Sequence, residues 1–216
     1  MSNTILVAED HALINWGYEL LFKAHFPNYK LEIVTTAALL EERLNADEQA
    51  FCAAILDLQL LDKNILMMIP EIRAKRPNLP LLVVTSFPEN VYALQLLKVG
   101  VRGFMTKQAG EQAMIEAVTT LLNGGIYIST NIKSQLLHSG NNNTSANPFS
   151  ELSIRELEVL KLLLGNKGIT EIAQLLGLAT TTIASHKTRI LKRLNVDNMQ
   201  ELYKLATLHQ FNPQQV

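Results

Sequence analysis

Five short apolar runs punctuate the first half of this 216-residue chain: TILVA (residues 4–8), KLEIV (30–34), CAAIL (52–56), PLLVVT (80–85) and VRGFM (101–105). The segments between them have helical spacing, with Leu13, Trp16, Gly17, Leu20 and Leu21, then Leu39, Leu40 and Leu44, then Ile65, Met68, Ile69 and Ile72, then Val91, Leu94 and Leu97. Uninterrupted apolar strands are buried on both faces, and strands alternating with amphipathic helices pair in parallel, because each helix returns the chain to the edge where the previous strand began. Right-handed crossovers leave few arrangements. The expectation is an α/β domain with a five-stranded, doubly wound parallel sheet, closed by a helix over about residues 110–123.

After Gly124 and Gly125 the character changes. The stretch HSGNNNTSANPFS (138–150) is polar and rich in Asn and Ser, and reads as a flexible linker. Beyond it every pattern is helical. Ser153 with Glu156 predicts a capping box opening a helix through Leu164. A second helix is expected over 170–176 with Gly177 ending it, a third capped by Thr180 and running to about Leu194, and a fourth over 199–208. Four short helices, two joined by a tight Gly-containing turn, make a small all-α helix-turn-helix domain. The expected domains are therefore 1–123, a linker 124–149, and 150–216.

Charge divides the same way. The net charge is -1, but residues 1–150 carry 11 basic and 14 acidic groups, against 8 and 6 in residues 151–216. Between Glu171 and Asp197 lie Lys187, Arg189, Lys192 and Arg193 with no acid among them. A local positive stripe in a near-neutral chain fits a polyanion partner for that segment; the alternative is a solvated helix face. The single Cys52 excludes an intramolecular disulfide and a cysteine-rich zinc site, no apolar run reaches the ~20 residues of a membrane span, and MSNTILVAED does not read as an export signal. A cytoplasmic protein without membrane attachment is expected.

In an open α/β sheet the ligand site lies outside the carboxyl ends of the strands. Those ends carry Glu9 and Asp10, then Asp57, Thr85 and Lys107. Each has an ordinary explanation alone, Asp10 as a helix N-cap, Thr85 in local backbone bonding, Lys107 as a surface charge, but the topology gathers all five at one rim. Adjacent carboxylates repel unless a cation intervenes, and an oxygen-only donor set suits Mg²⁺. Asp57, between the others, is placed to accept a phosphoryl group, with Lys107 and Thr85 stabilising its oxygens.

The segments AED, LDLQL, VVTS and GFMTK, over about residues 4–123, resemble the receiver domain of bacterial two-component response regulators, a flavodoxin-like fold. The resemblance implies strand order 2-1-3-4-5, Glu9, Asp10 and Asp57 as metal ligands, Asp57 as phosphoacceptor, and Thr85 and Lys107 as phosphate contacts. It also makes Phe104 a switch residue alongside Thr85. The family's usual Pro and Gly after the phosphoacceptor are replaced by Leu61 and Ile65, with Asn64 available for a left-handed turn. Gln59 and Phe87 would flank an attacking water. A haloacid-dehalogenase-type phosphohydrolase needs a second Asp where Gln59 stands, which argues against an enzyme.

Residues 150–212 resemble the LuxR-type helix-turn-helix through Leu152, Ser153, Arg155, Glu156, Val159, Leu160, Glu171, Ile172, Ala173, Leu176, Thr182, Ile183, His186, Ile190, Leu194 and Val196, which places the chain with the NarL/FixJ branch of response regulators. On the third helix of this part Ile183, Ile190 and Leu194 form a core seam, while Thr181, Ala184, Ser185, Thr188, Arg189 and Lys192 lie away from it. Small residues there let the helix enter the major groove; Thr182, Lys187, Arg189, Lys192 and Arg193 would hold phosphates, and His186 packs within the domain. The last helix, with Leu202, Leu205 and Leu208, is the dimerisation helix in this family. The resemblance thus implies a transcriptional regulator that takes a phosphoryl group from a sensor histidine kinase, binds double-stranded DNA and pairs as a homodimer. A receiver-like domain that dimerises without phosphate is the rival.

Overall fold

The computed structural model describes residues 2–46, 49–139, 147–209 and 211. Its first strands are β1 (Thr4–Ala8), β2 (Lys30–Val34), β3 (Ala53–Leu56), β4 (Leu81–Thr85) and β5 (Gly103–Thr106), all parallel, in the order β2-β1-β3-β4-β5. Helices α1 (Ala12–His25), α2 (Ala37–Ala46), α3 (Met68–Lys75), α4 (Glu89–Lys98) and α5 (Glu111–Leu122) connect or follow them. β1, β3 and β4 are buried on both faces apart from Thr4, which is why their sequences do not alternate. Period-two alternation nevertheless sorts their side chains: Ile5, Val7, Ala53, Ile55, Leu82, Val84 and Met105 pack with Tyr18 and Phe22 of α1 and Ala117, Val118 and Leu121 of α5. Leu6, Leu56, Val83 and Phe104 are equally buried on the other face.

Helix α1 departs from expectation. Of the residues whose spacing marks this helix, Leu13, Trp16 and Leu20 are 76%, 62% and 70% exposed, whereas Tyr18 and Phe22 are buried and Ile14 and Leu21 partly covered. The helix carries two apolar stripes, and periodicity cannot say which one meets the sheet. The loop after β3 also differs. Asn64 does not take a left-handed conformation; its Oδ1 accepts the Leu66 N–H at 2.8 Å, while the Ile65 N–H bonds Leu58 O at 2.7 Å and the Ile65 side chain is fully buried. The missing Gly is replaced by an apolar anchor and an Asx-type bond.

Contacts divide the chain into two compact units, Met1–Glu89 with Leu96–Thr130, and Asn90–Gln95 with Asn131–Val216. The segment expected as linker, 124–149, is structured before its polar stretch: Tyr127 bridges Gly103, and α6 (Thr130–Ser139) follows with Ile132 buried. Residues 140–146 lie outside the described residues, and a capped 3-10 turn, Pro148–Glu151, precedes α7.

In the second unit α7 (Ile154–Leu164) opens with the expected Ser153–Glu156 capping box. α8 (Ile169–Leu176) ends at Gly177, whose φ of 63° is the left-handed geometry that glycine adopts without strain. α9 (Thr180–Arg193) starts from Ala179 without a side-chain cap, so Thr180 is its first helical residue and not its cap. α10 (Met199–Leu208) is capped by Asn198. Within this unit Tyr92 stacks on Phe211 with centroids 6.1 Å apart, and Asn147 Nδ2 donates to Asn90 O at 2.6 Å.

A Cβ on Gly103 would stand 2.8 Å from Leu82 Cδ1 and 3.2 Å from Tyr127 Cβ. Gly103→Val is therefore expected to lower unfolding free energy by about 1–3 kcal/mol, read from the urea midpoint, as overpacked cores do; an unchanged midpoint would contradict this packing.

Candidate functional site

The sheet's register builds the site. Ala8 is paired with Leu56, so the next residues, Glu9 and Asp57, leave adjacent strands side by side. The Asp57 N–H bonds Ala8 O at 2.8 Å, and the Glu9 N–H bonds Val34 O at 3.0 Å, extending the ladder by one step. On the other side Thr85 pairs with Thr106, and the Lys107 N–H bonds Thr85 O at 2.9 Å. Four strands thus deliver Glu9, Asp57, Thr85 and Lys107 to one edge.

Lys107 Nζ donates to Asp57 Oδ2 at 2.6 Å and to Glu9 Oε1 at 2.9 Å, across 50 and 98 residues of sequence. Glu9 and Asp57 are only 1% and 4% exposed. Burial alone would pull the Lys107 ammonium down, but hydrogen bonds and charge from Asp57 and Glu9 outweigh it and hold its pKa above the ordinary value. Tyr18, buried below the site on α1, has its phenol pushed up by burial and then by the Glu9 and Asp57 charges, so it stays neutral.

Asp10 does not cap α1. His11 is the N-cap residue, with no side-chain cap bond, and its ring turns back to the acids: Nδ1 lies 2.8 Å from both Glu9 Oε1 and Asp10 Oδ1. Glu9, Asp10, His11 and Asp57 offer ligand atoms that all lie within 4.8 Å of one another. Sequence reasoning missed His11; its place directly after Asp10 and before a helix was the available signal.

Three buried oxygens of the site residues, Glu9 Oε2, Asp10 Oδ1 and Thr85 Oγ1, make no hydrogen bond, although Glu9 Oε2 lies 2.8 Å from the Lys107 ammonium. Three carboxylates face one ammonium, which leaves two formal negative charges. Carboxylates under 5 Å apart repel by about 3–4 kcal/mol at an effective dielectric of about 20. Orphaned oxygen and charge balance both suit a divalent cation, so the donor set fits one. Phe104 is 2% exposed on the sheet face it shares with Thr85. Phe87 is buried too, whereas Gln59 is exposed and its N–H lies 3.3 Å from Asp57 Oδ1.

On α9 and at its C-cap, Ile183, Ile190 and Leu194 are buried, and Thr181, Ser185, Thr188, Arg189 and Lys192 are exposed, with Thr182, Ala184 and Lys187 half-buried. Ser185 and Thr188 donate their hydroxyls to their own helix, to Thr181 O at 2.9 Å and Ala184 O at 3.0 Å. Arg193 differs from the other cations: it pairs with buried Glu156 at 2.5 Å and so ties α9 to α7. His186 contacts Arg189 at 3.3 Å, and burial followed by the Arg189 charge lowers its pKa. Among the described residues no helix is long and apolar enough to cross a membrane.

Residues 5–119 match the response regulator receiver domain, and residues 150–206 match the bacterial regulatory proteins of the luxR family. The oxygen regulatory protein NreC of Staphylococcus epidermidis is 30% identical over 94% of this chain and 95% of its own length, and NreC of Staphylococcus carnosus is similar to the same extent. RcsB of Salmonella enterica serovar Typhimurium, solved bound to promoter P1flhDC in the presence of phosphomimetic BeF3-, superposes with a TM-score of 0.71 at 22% identity, covering 95% of this chain and 98% of that one. A further RcsB structure, described as two dimers bound to two parallel DNAs, gives 0.66 at 23% identity over 95% and 98%. At those identities the structures speak for the fold.

Lys107→Met should destabilise the metal-free chain at pH 7 by about 3–5 kcal/mol, because it strands buried carboxylates. Since the folded-state pKa of Lys107 is raised, this contribution is complete below the ordinary Lys value of about 10.4 and is lost as pH rises through the higher folded value. Urea unfolding of both proteins from pH 7 to 11 checks it; a constant difference would be the contrary result.

Proposed function

The chain belongs to the response regulators, with a receiver domain followed by a LuxR-type domain, and from that premise we propose that it is a transcriptional regulator switched by phosphorylation of Asp57. The carrying observation is the buried Asp57 carboxylate, held by Lys107 beside Glu9 and Asp10 and on the same edge as the unpaired Thr85 hydroxyl. Its domain limits are taken as 1–123, 124–149 and 150–216.

In this reading an Asp57 oxygen attacks the phosphorus of a kinase phosphohistidine, the P–N bond breaks, and the departing imidazole takes a proton from solvent. Lys107 leaves the carboxylates for the equatorial phosphoryl oxygens, and the Thr85 hydroxyl donates to one of them. Glu9, Asp10 and Asp57 would hold Mg²⁺, which when bound supplies the positive charge that lets dianion and carboxylates share the rim. Thr85 and Phe104 share one sheet face, so a pull on the hydroxyl is felt at the aromatic ring, which supports Phe104 as the switch. The protein acts as a regulator in the cytoplasm and not as a turnover enzyme.

DNA recognition falls to the exposed face of α9. Thr181, Ala184, Ser185 and Thr188 are small enough for close approach to base edges, and Thr182, Lys187, Arg189 and Lys192 are placed for backbone phosphates. The Ser185 and Thr188 hydroxyls exchange an intrahelical carbonyl for a base edge at little cost. Double-stranded DNA and a second copy of the chain are the partners. α10 keeps Leu202 buried and Leu208 77% exposed, which supports its use in pairing, and the outer stripe of α1 offers the receiver a second apolar surface.

Acetyl phosphate or phosphoramidate with Mg²⁺ should phosphorylate the wild type and not Asp57→Asn, read by intact-protein mass; modification of both would remove the proposal. Lys192→Ala should weaken binding to all DNA sequences alike and reduce the log–log salt slope by about one. A sequence-dependent loss in footprints would instead make Lys192 a base reader.

A further inference from the structure

We propose that His11 is itself a ligand of the cation site, so that the site is a mixed nitrogen and oxygen set in which His11 strengthens the hold on a transition-metal dication and leaves that on magnesium little changed. The inference rests on the reading of Glu9, Asp10 and Asp57 as the cation site and adds to it a residue that the family's carboxylate set does not contain.

Nothing in the fold forces the His11 ring toward the acids. Its side chain is 63% exposed, it sits at the N-cap of α1, and it makes no cap bond, so water or the helix terminus would have been available to it. The ring nevertheless turns inward, and its backbone N–H also donates to Glu9 Oε1 at 3.0 Å, which fixes Glu9 and His11 relative to each other.

Nδ1 stands 2.8 Å from Glu9 Oε1 and 2.8 Å from Asp10 Oδ1. The ring nitrogen thus sits between two carboxylate oxygens at equal distance, where a single N–H can point well at only one of them. A proton on Nδ1 serves Glu9 but not Asp10, whose Oδ1 is buried and accepts no hydrogen bond. The Lys107 ammonium, 3.5 Å from Nδ1, is committed to Glu9 and Asp57. Donors adjacent on one octahedral ion with bonds of about 2.1 Å stand about 3 Å apart, and opposite donors about 4.2 Å. The separations among Glu9, Asp10, His11 and Asp57, all within 4.8 Å, need only a small contraction to meet that pattern.

Carboxylate and water suit Mg²⁺, whereas a neutral imidazole suits Mn²⁺ less than Co²⁺, Ni²⁺ or Zn²⁺ along the Irving–Williams order. All-oxygen sites follow that order too. The diagnostic is therefore how much of the preference His11 itself carries.

The test uses the full chain and Mg²⁺, Co²⁺ and Mn²⁺ as probes, with calorimetric titration of wild type, His11→Ala, His11→Gln and Asp57→Asn. The expected result is that both His11 variants weaken Co²⁺ binding by at least ~10-fold while changing Mg²⁺ affinity less than about twofold. Electron spin-echo spectra of bound Mn²⁺ should carry imidazole ¹⁴N modulation in the wild type and lose it in His11→Ala. Equal losses for both ions, or no ¹⁴N modulation in the wild type, would overturn the proposal. The two readings separate cleanly: Asp57-dependent Mg²⁺ binding with Co²⁺ indifferent to His11 sinks only the His11 ligand, whereas titrations that Asp57→Asn leaves unchanged sink the carboxylate site beneath it.

Discussion

Three carboxylates held within a few ångströms of one another at the edge of a sheet require a positive charge, and Lys107 provides one that Glu9 and Asp57 share at bonding distance. An ammonium that bridges Glu9 and Asp57 is a counter-ion that can be displaced. It keeps the acids together before any ligand arrives, and it leaves two negative charges and an orphaned Asp10 oxygen for a second cation. The site is stable yet incomplete, which is the electrostatic condition for a switch.

That condition depends on backbone register more than on any side chain. Because β1 and β3 are parallel neighbours with Ala8 opposite Leu56, the residues that follow them must emerge together; a slip of one residue would send one acid into the core. The loop after β3 then has to hold Asp57 still without the usual Pro and Gly. It does so with Ile65 buried as an anchor and the Asn64 side chain bonded to the Leu66 N–H. The same economy appears in the second unit, where Arg193 is drawn from the cationic stripe to fix α9 on α7, leaving Lys187, Arg189 and Lys192 for the outer face.

Much of this was legible in the residues. Apolar run length located the five strands within about two residues, because burial on both faces leaves a run of Val, Ile and Leu that no surface segment tolerates; helical spacing marked the helices between them but not α6. The Ser153–Glu156 box and Gly177 mark their helix ends through purely local chemistry. What failed depended on partners distant in the chain. Thr180 looked like a cap but lies inside α9; Asn64 looked like a left-handed turn but uses its side chain instead; and Tyr127 and Ile132, counted with the linker because a polar stretch follows them, are buried.

By itself the sequence determined the alternation of strand and helix, the acids at strand ends, and the small-residue face of α9, since each follows from periodicity or from neighbours three or four residues away. Only the tertiary structure decided which stripe of α1 meets the sheet, that Lys107 reaches both Glu9 and Asp57, and that the His11 ring joins the acids. Periodicity gives an angle about a helix axis but no direction to the core, and a contact across 98 residues exists only once the strands between have paired.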